Sequence, residues 1–105
     1  MILDLTLDKA DFEANLAAAA GHDMALRAEL LACFCASLDA QRDLLARARC
    51  DGNWEVSALR LRGLGASFHS RQLVELAQEA LDTAPGDPVV LRKLALFADE
   101  LARQG

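Results

Sequence analysis

The fold of this 105-residue chain is decided by residues 54–68, which read WEVSALRLRGLGASF. At about 100° per residue, the apolar and small residues of this stretch form one stripe along a helix: Trp54, Ala58, Leu61, Gly65 and Phe68. Leu59 lies roughly 140° from the centre of that stripe, and Gly63 lies on the far side. The pattern therefore predicts an amphipathic helix from Trp54 to about Ser67 that buries the stripe and directs Leu59 towards solvent.

Two helices are predicted before this stretch. Asp8 is expected to cap a first helix that Gly21 ends, and Asp23 is expected to cap a second, long helix up to about Arg49. The second helix carries apolar residues at helical spacing: Leu30, Phe34, Leu38, Leu45 and Ala48. A turn over residues 50–53 is predicted to separate it from the third helix.

Two more helices are predicted after the stretch. Ser70 is expected to cap a fourth helix with one apolar face: Leu73, Leu76, Ala77, Ala80 and Leu81. Residues 84–86 break the chain, and Asp87 followed by Pro88 starts a last helix. Its buried stripe is expected to comprise Val90, Leu94, Phe97 and Leu101. Five amphipathic segments with short turns predict an all-α fold, an up-down four-helix bundle with an additional N-terminal helix, as a single domain over residues 1–105.

The charge distribution gives a first indication of partners. The net charge of −5 argues against nucleic acid, which binds basic surfaces. Residues 42–71 nevertheless contain six arginines and only three carboxylates, a net charge of about +3, so the rest of the chain is about −8. A basic middle on an acidic protein suits an acidic protein partner, and arginines that merely solvate exposed helix faces are the simpler alternative.

Neither a secretory signal nor a membrane span is found, since the longest apolar run, residues 16–21, is far shorter than the roughly 20 residues that cross a bilayer. We therefore expect a cytoplasmic protein without membrane contact. Cys33, Cys35 and Cys50 are an odd set without metal-site spacing and are expected to be small apolar fillers in a reducing compartment. The two histidines lie far apart in the chain, so no metal or cofactor is predicted.

Residues 58–73 resemble the signature helix of histidine-containing phosphotransfer (HPt) domains. The family pattern runs Ala-His-x-Leu-Lys-Gly, four residues, Leu or Phe, Gly, a small residue, two more residues and Leu. Six positions match it: Ala58, Leu61, Gly63, Phe68, Ser70 and Leu73. Arg62 stands in for the lysine, Leu59 occupies the histidine position, and His69 occupies the later glycine position. The resemblance implies the same bundle architecture, an HPt-like fold.

The resemblance also implies a binding surface without its reactive group. Leucine has no lone pair with which to accept a phosphoryl group, so no catalytic residue is predicted and the protein is not expected to be an enzyme. The partner-binding residues implied are Leu59, Arg60, Arg62, Gly63, Ala66 and His69. The expected partner is a response-regulator receiver domain or a sensor histidine kinase, docked through the second and third helices. Gly63 would let a partner's backbone approach, and close packing against a neighbouring helix is the alternative reason for this glycine.

Two other functions remain open. An active phosphotransfer protein would have to use His69, ten residues after the family's histidine position and in a turn, a displacement that breaks the geometry a nucleophile needs. The plainer expectation for His69 is a turn residue that packs or caps beside Ser70. A generic helical interaction module or homodimer is the other alternative, and we expect a monomer or a weak homodimer.

Overall fold

The computed structural model describes residues 3–103, with side chains from Phe12 onward. This part of the chain is helical and contains no strand. Its five helices are α1 (Leu3–Ala20), α2 (Met24–Arg47), α3 (Asp51–Ser67), α4 (Arg71–Leu81) and α5 (Pro88–Ala102). Among residues 3–103, no helix combines the length and the hydropathy that crossing a bilayer requires.

The helices pack as a bundle. α2 packs on α3 and α5, α4 packs on the same two helices, and α1 lies on α2 and α4. Neighbouring helices run antiparallel. Trp54 at the start of α3 donates its Nε1–H to the carbonyl of Ala80 at the end of α4, over 2.7 Å. Similarly, Lys93 near the start of α5 pairs with Glu79 near the end of α4 at 3.1 Å. The predicted all-helical bundle is therefore confirmed.

The core is built largely from the predicted stripes, of which Leu30, Phe68, Leu76 and Leu81 are only half-buried. The most deeply buried apolar side chains are Phe34, Leu38 and Leu45 of α2, Trp54, Ala58 and Leu61 of α3, Leu73, Ala77 and Ala80 of α4, and Val90, Leu94 and Leu101 of α5. At one end the Phe34 ring lies between two others, with centroids 5.1 Å from Phe12 of α1 and 4.7 Å from Phe68. Tilted aromatic pairs at this distance are favourable, and they join α1 to the α2–α3 pair.

Three of the predicted helix caps are confirmed. The Asp23 carboxylate accepts hydrogen bonds from two N–H groups in the first turn of α2, at 3.0 and 3.1 Å. The Ser70 hydroxyl accepts from the Leu73 N–H at 3.3 Å, and the Asp87 carboxylate accepts from the Val90 N–H at 3.0 Å. Each cap satisfies a donor that the helix leaves without an internal partner, which stabilises a helix by about 1 kcal/mol.

The predicted start of α1 is wrong. α1 begins at Leu3, so Asp8 lies inside the helix and does not cap it. Residues 3–7 contain neither proline nor glycine, and nothing in them interrupts the helical hydrogen bonds. The predicted end is confirmed, because Gly21 adopts a φ of 66° directly after the last helical residue.

The predicted start of α3 is also wrong. α3 begins at Asp51, three residues before Trp54, and the turn predicted over residues 50–53 reduces to the extended Cys50. The Trp54 N–H donates to the Cys50 carbonyl at 3.1 Å, which closes the first helical turn. Asp51 is favourable there because its carboxylate lies at the positive end of the helix dipole. Gly52 is therefore a helical residue, although its type suggested a turn.

The cysteines are not the buried fillers that the sequence suggested. Cys33 and Cys50 are exposed, Cys35 is half-buried, and all three are free thiols. Cys33 directly precedes the buried Phe34, so it lies about 100° around α2 from the core. Burial and, to a smaller extent, the Asp39 carboxylate raise the pKa of the Cys35 thiol above its ordinary value of 9.0.

Candidate functional site

α3 has an inner and an outer face. The inner face carries Trp54, Ala58 and Leu61, which are buried against the neighbouring helices. Leu59 points away from them and leaves 40% of its surface exposed, as the helical periodicity predicts. The outer face of α3 therefore carries large apolar side chains that the core does not use, as exposed positions of α2 and α5 also do.

The two glycines of α3 have different surroundings. A Cβ atom at Gly65 would lie 2.9 Å from the backbone nitrogen of Val74 and 3.1 Å from the carbonyl oxygen of Ser70. A Cβ atom at Gly63 would meet no atom within 4 Å. Close packing against a neighbouring helix, the alternative reason for Gly63, is therefore wrong. Close packing does explain the glycine at position 65, where α4 leaves no room for a side chain.

Apolar and small residues follow one another along the outer face. Val56 and Leu59 are 46% and 40% exposed, and Gly63 and Ala66 are exposed as well. Their spacing of three, four and three residues keeps them on one side of the helix. We call this set of four residues the outer strip. It offers apolar side chains at one end and almost no bulk at the other, where a partner's backbone can come close.

Val56 was missed by the sequence analysis. The signal was available, because Val56 lies three residues before Leu59 and so shares its face. The family pattern does not include it, because that pattern begins at Ala58.

Two arginines flank the outer strip on opposite sides. Arg60 is exposed, whereas Arg62 is half-buried and donates from Nη1 to Oε1 of Gln78 on α4 at 2.9 Å. Gln78 in turn donates from Nε2 to Oδ1 of Asp82 at 3.4 Å. Arg62 therefore turns towards α4, whereas the HPt resemblance implies a surface on the second and third helices. Gln78 was not foreseen either, because its contact joins residues sixteen positions apart.

The arginines around α3 lack carboxylate partners. Within residues 12–103, five of the ten lysine and arginine side chains form no ion pair: Arg49, Arg60, Arg62, Arg71 and Arg92. Four of these lie between residues 49 and 71, on α3 or directly beside it. Arg49 instead donates to the backbone carbonyls of Ala46 and Ala48 at the end of α2. None of these four forms an ion pair with a described residue, and their positive charge attracts acidic groups to this side.

His69 lies in the turn between α3 and α4 with a φ of 59°. Its N–H donates to the Ala66 carbonyl at 3.2 Å, and the Ser70 N–H donates to the Gly65 carbonyl at 2.7 Å. These two bonds form a Schellman motif, in which this position usually carries glycine. The expected turn location of His69 is confirmed. The side chain itself is exposed and makes no hydrogen bond to the described residues, so only its backbone contributes to the cap.

The described part of the chain offers no cluster for a metal ion: no three side chains of His, Cys, Asp or Glu type meet there in a suitable group. His22 is exposed in the turn after α1, as expected from its position before the cap of α2. The outer face of α3 carries exposed apolar side chains and arginines, which support apolar contact and attraction of negative charge.

Comparison with known proteins identifies no relative: no protein-family model, curated protein or solved structure matches this chain. The resemblance of residues 58–73 to HPt domains stays a prediction that depends on those residues. The outer strip and its arginines are the features of this molecule from which a function has to be inferred.

Proposed function

We propose that this protein is a non-catalytic, HPt-like signalling adaptor or decoy of a two-component phosphorelay. It binds a receiver domain or a sensor histidine kinase in the cytoplasm and passes no phosphate. The observation that carries the proposal is the outer strip of α3, where Gly63 faces open space beside exposed Leu59. A glycine inside a helix costs about 1 kcal/mol relative to alanine. With no internal contact to explain it, Gly63 is best accounted for by a partner that needs the space.

The residue at the expected phosphoacceptor position supports binding without chemistry. Leu59 is aliphatic and has no atom that can attack or carry a phosphoryl group. His69 lies beyond the C-terminal end of α3, and more than two helical turns separate it from Leu59. A nucleophile has to lie within about 3 Å of its target in the docked complex. A partner centred on Leu59 would not present its phosphoryl group to His69.

The unneutralised arginines support an acidic partner. Val56 and Leu59 supply apolar contact, and Arg60 and Arg62 flank them with positive charge. According to the HPt resemblance, the partner is a receiver domain, whose phosphorylation pocket is acidic. Opposite charges speed the encounter of two proteins and fix their orientation more than they raise affinity.

The test is a binding screen against the receiver domains and histidine kinases of the same organism. Arg60→Glu and Arg62→Glu should each weaken the interaction by about tenfold at low ionic strength and by less at high salt. Arg92→Glu is the matched control, because Arg92 also lacks an ion pair but lies on α5, away from the outer strip. Equal losses for Arg60→Glu and Arg92→Glu would indicate non-specific attraction and contradict the site.

A second pair of variants tests the apolar part. Gly63→Leu should abolish binding while the bundle stays folded, since nothing inside the protein occupies that space. Leu59→Ala should weaken binding, and Leu96→Ala, at an exposed position of α5, should not.

Phosphate chemistry has its own assay. Leu59→His should gain an acid-labile phosphoryl group from a phosphorylated receiver, whereas the parent protein should only bind. An adduct on the parent that is lost in His69→Ala would instead support an active phosphotransferase. Concentration-dependent sedimentation that Gly63→Leu abolishes would support a homodimer.

A further inference from the structure

Gln78 is the side chain to which Arg62 is bound, and it lies on a different helix. The 2.9 Å bond from Arg62 Nη1 to Gln78 Oε1 crosses from α3 to α4. Arg60, two residues earlier on the same helix, is exposed and has no such bond to a described residue. The two arginines beside the outer strip therefore differ in how firmly they are held.

The acceptor that holds Arg62 is neutral. A carboxylate at this place would neutralise the guanidinium, whereas an amide oxygen fixes its direction and leaves its charge available. Asp82 fixes the amide in turn, because its Oδ1 accepts from Gln78 Nε2 at 3.4 Å. A rotated amide would bring Nε2 against the Arg62 donor and Oε1 against the Asp82 carboxylate, and both contacts would be repulsive.

We propose that Gln78 is a positioning residue that holds Arg62 as an unneutralised cation on the α4 side of the outer strip. The surface that receives an acidic protein partner then extends from α3 to Gln78 on α4 and not to α2. Its positive charge comes from α3, because α4 exposes the carboxylates of Glu75 and Asp82 on either side of Gln78. The part that concerns the partner rests on the proposed function. The fixing of Arg62 by Gln78 does not, because it is a property of the isolated protein.

A held arginine matters because binding otherwise has to immobilise it. Ordering a long side chain at an interface reduces affinity, and a side chain already ordered in the free protein avoids that loss. From the usual size of this effect, release of Arg62 should weaken binding about two-fold to tenfold. Arg60 has no comparable support and should be insensitive to changes on α4.

The first measurement needs no partner. Nitrogen relaxation of the arginine Nε–H groups in the isolated protein should show a more ordered Arg62 than Arg60. Gln78→Ala should bring the order of Arg62 down to that of Arg60, and Gln72→Ala, on the same helix, should leave it unchanged. If Arg62 is as mobile as Arg60 in the parent protein, the inference is overturned.

The second measurement uses a receiver domain or kinase that binds the parent protein. Gln78→Ala should weaken binding two-fold to tenfold, and Gln78→Glu should weaken it further because the new carboxylate neutralises Arg62. In an Arg62→Ala background, Gln78→Ala should have no further effect, whereas a purely structural role of Gln78 would leave an effect there. Ala40→Glu, an exposed position on α2, should leave affinity unchanged. An equal loss with Ala40→Glu would place α2 in the surface and overturn the assignment to α3 and α4.

The outcomes separate this inference from the proposed function. If a receiver binds the parent protein and Gln78→Ala binds equally well, the inference fails and the proposed function stands. If no receiver or kinase binds the parent protein, the proposed function fails and the assignment of the docking surface fails with it. The nitrogen relaxation measurement on the Arg62 Nε–H group then still decides whether Gln78 positions this side chain.

Discussion

Gly63 and Gly65 lie two residues apart on α3, but Gly63 is open to solvent and Gly65 is packed against another helix. α4 crosses so close to Gly65 that a Cβ atom there would lie 2.9 Å from the backbone nitrogen of Val74, whereas Gly63 faces open space. Both glycines destabilise the helix by a similar amount relative to alanine. At Gly65 that loss permits a tight junction between α3 and α4. At Gly63 it serves nothing inside the molecule, which is why the outer face requires an explanation that the inner face does not.

The largest contrast should come from the two leucines on opposite faces. Leu61→Ala should lower the free energy of unfolding by about 2–5 kcal/mol, because it leaves a cavity in the core. Leu59→Ala should change it by less than about 0.5 kcal/mol, as is usual for an exposed side chain. Urea denaturation followed by tryptophan fluorescence measures both. A large loss of stability for Leu59→Ala would mean that the outer face is part of the core.

The next contrast concerns the inner glycine. Gly65→Ala should destabilise the protein by about 1–3 kcal/mol, since the added methyl group forces α4 away from α3. Chemical denaturation measures this loss. The dependence of the free energy of unfolding on denaturant concentration should be the same in variant and parent. An unchanged or increased stability would show that the junction yields easily, and the distinction between the two glycines would disappear.

The outer glycine should behave in the opposite way. Gly63→Ala should raise the free energy of unfolding by about 0.4–1 kcal/mol, because alanine is the better helix former and the position has room. If the proposed function is right, the same variant should bind its partner more weakly than the parent protein does. A more stable variant that binds as well as the parent would remove the reason for a glycine on the outer strip.

An effect of similar size should come from the turn that ends α3. His69→Gly should stabilise the protein by about 0.5–1 kcal/mol, because a residue other than glycine is strained at a φ of 59°. Thermal and chemical unfolding both detect a change of this size. If partner binding also falls in this variant, the imidazole contributes to the docking surface. An unchanged affinity would restrict His69 to its role in the turn.

Periodicity predicted much of this arrangement. The caps Asp23, Ser70 and Asp87 and the outward direction of Leu59 followed from local patterns, because each depends on residues within one or two helical turns. The start of α3 did not follow, because Gly52 is typical of a turn, whereas the bond from Trp54 to Cys50 encloses it in the first helical turn.

What the sequence left open depends on contacts between helices. The pattern on α3 put Gly65 on the inner face, but it could not decide whether another helix covers Gly63. Similarly, the pairing of Arg62 with Gln78 depends on the register between α3 and α4. Neither the exposure of Gly63 nor the pairing of Arg62 can be predicted from the spacing of residues along one helix. The role in a phosphorelay rests on a resemblance that these contacts neither require nor contradict.

The bond between Trp54 and Ala80 has a practical consequence. Trp54 is the only tryptophan of the chain, is almost completely buried, and donates to the last turn of α4. Its emission should therefore report whether α3 and α4 remain joined, and it should be insensitive to molecules that settle on the opposite side of α3. A ligand that leaves the emission unchanged has docked on an intact scaffold, whereas a red shift signals that the two helices have parted.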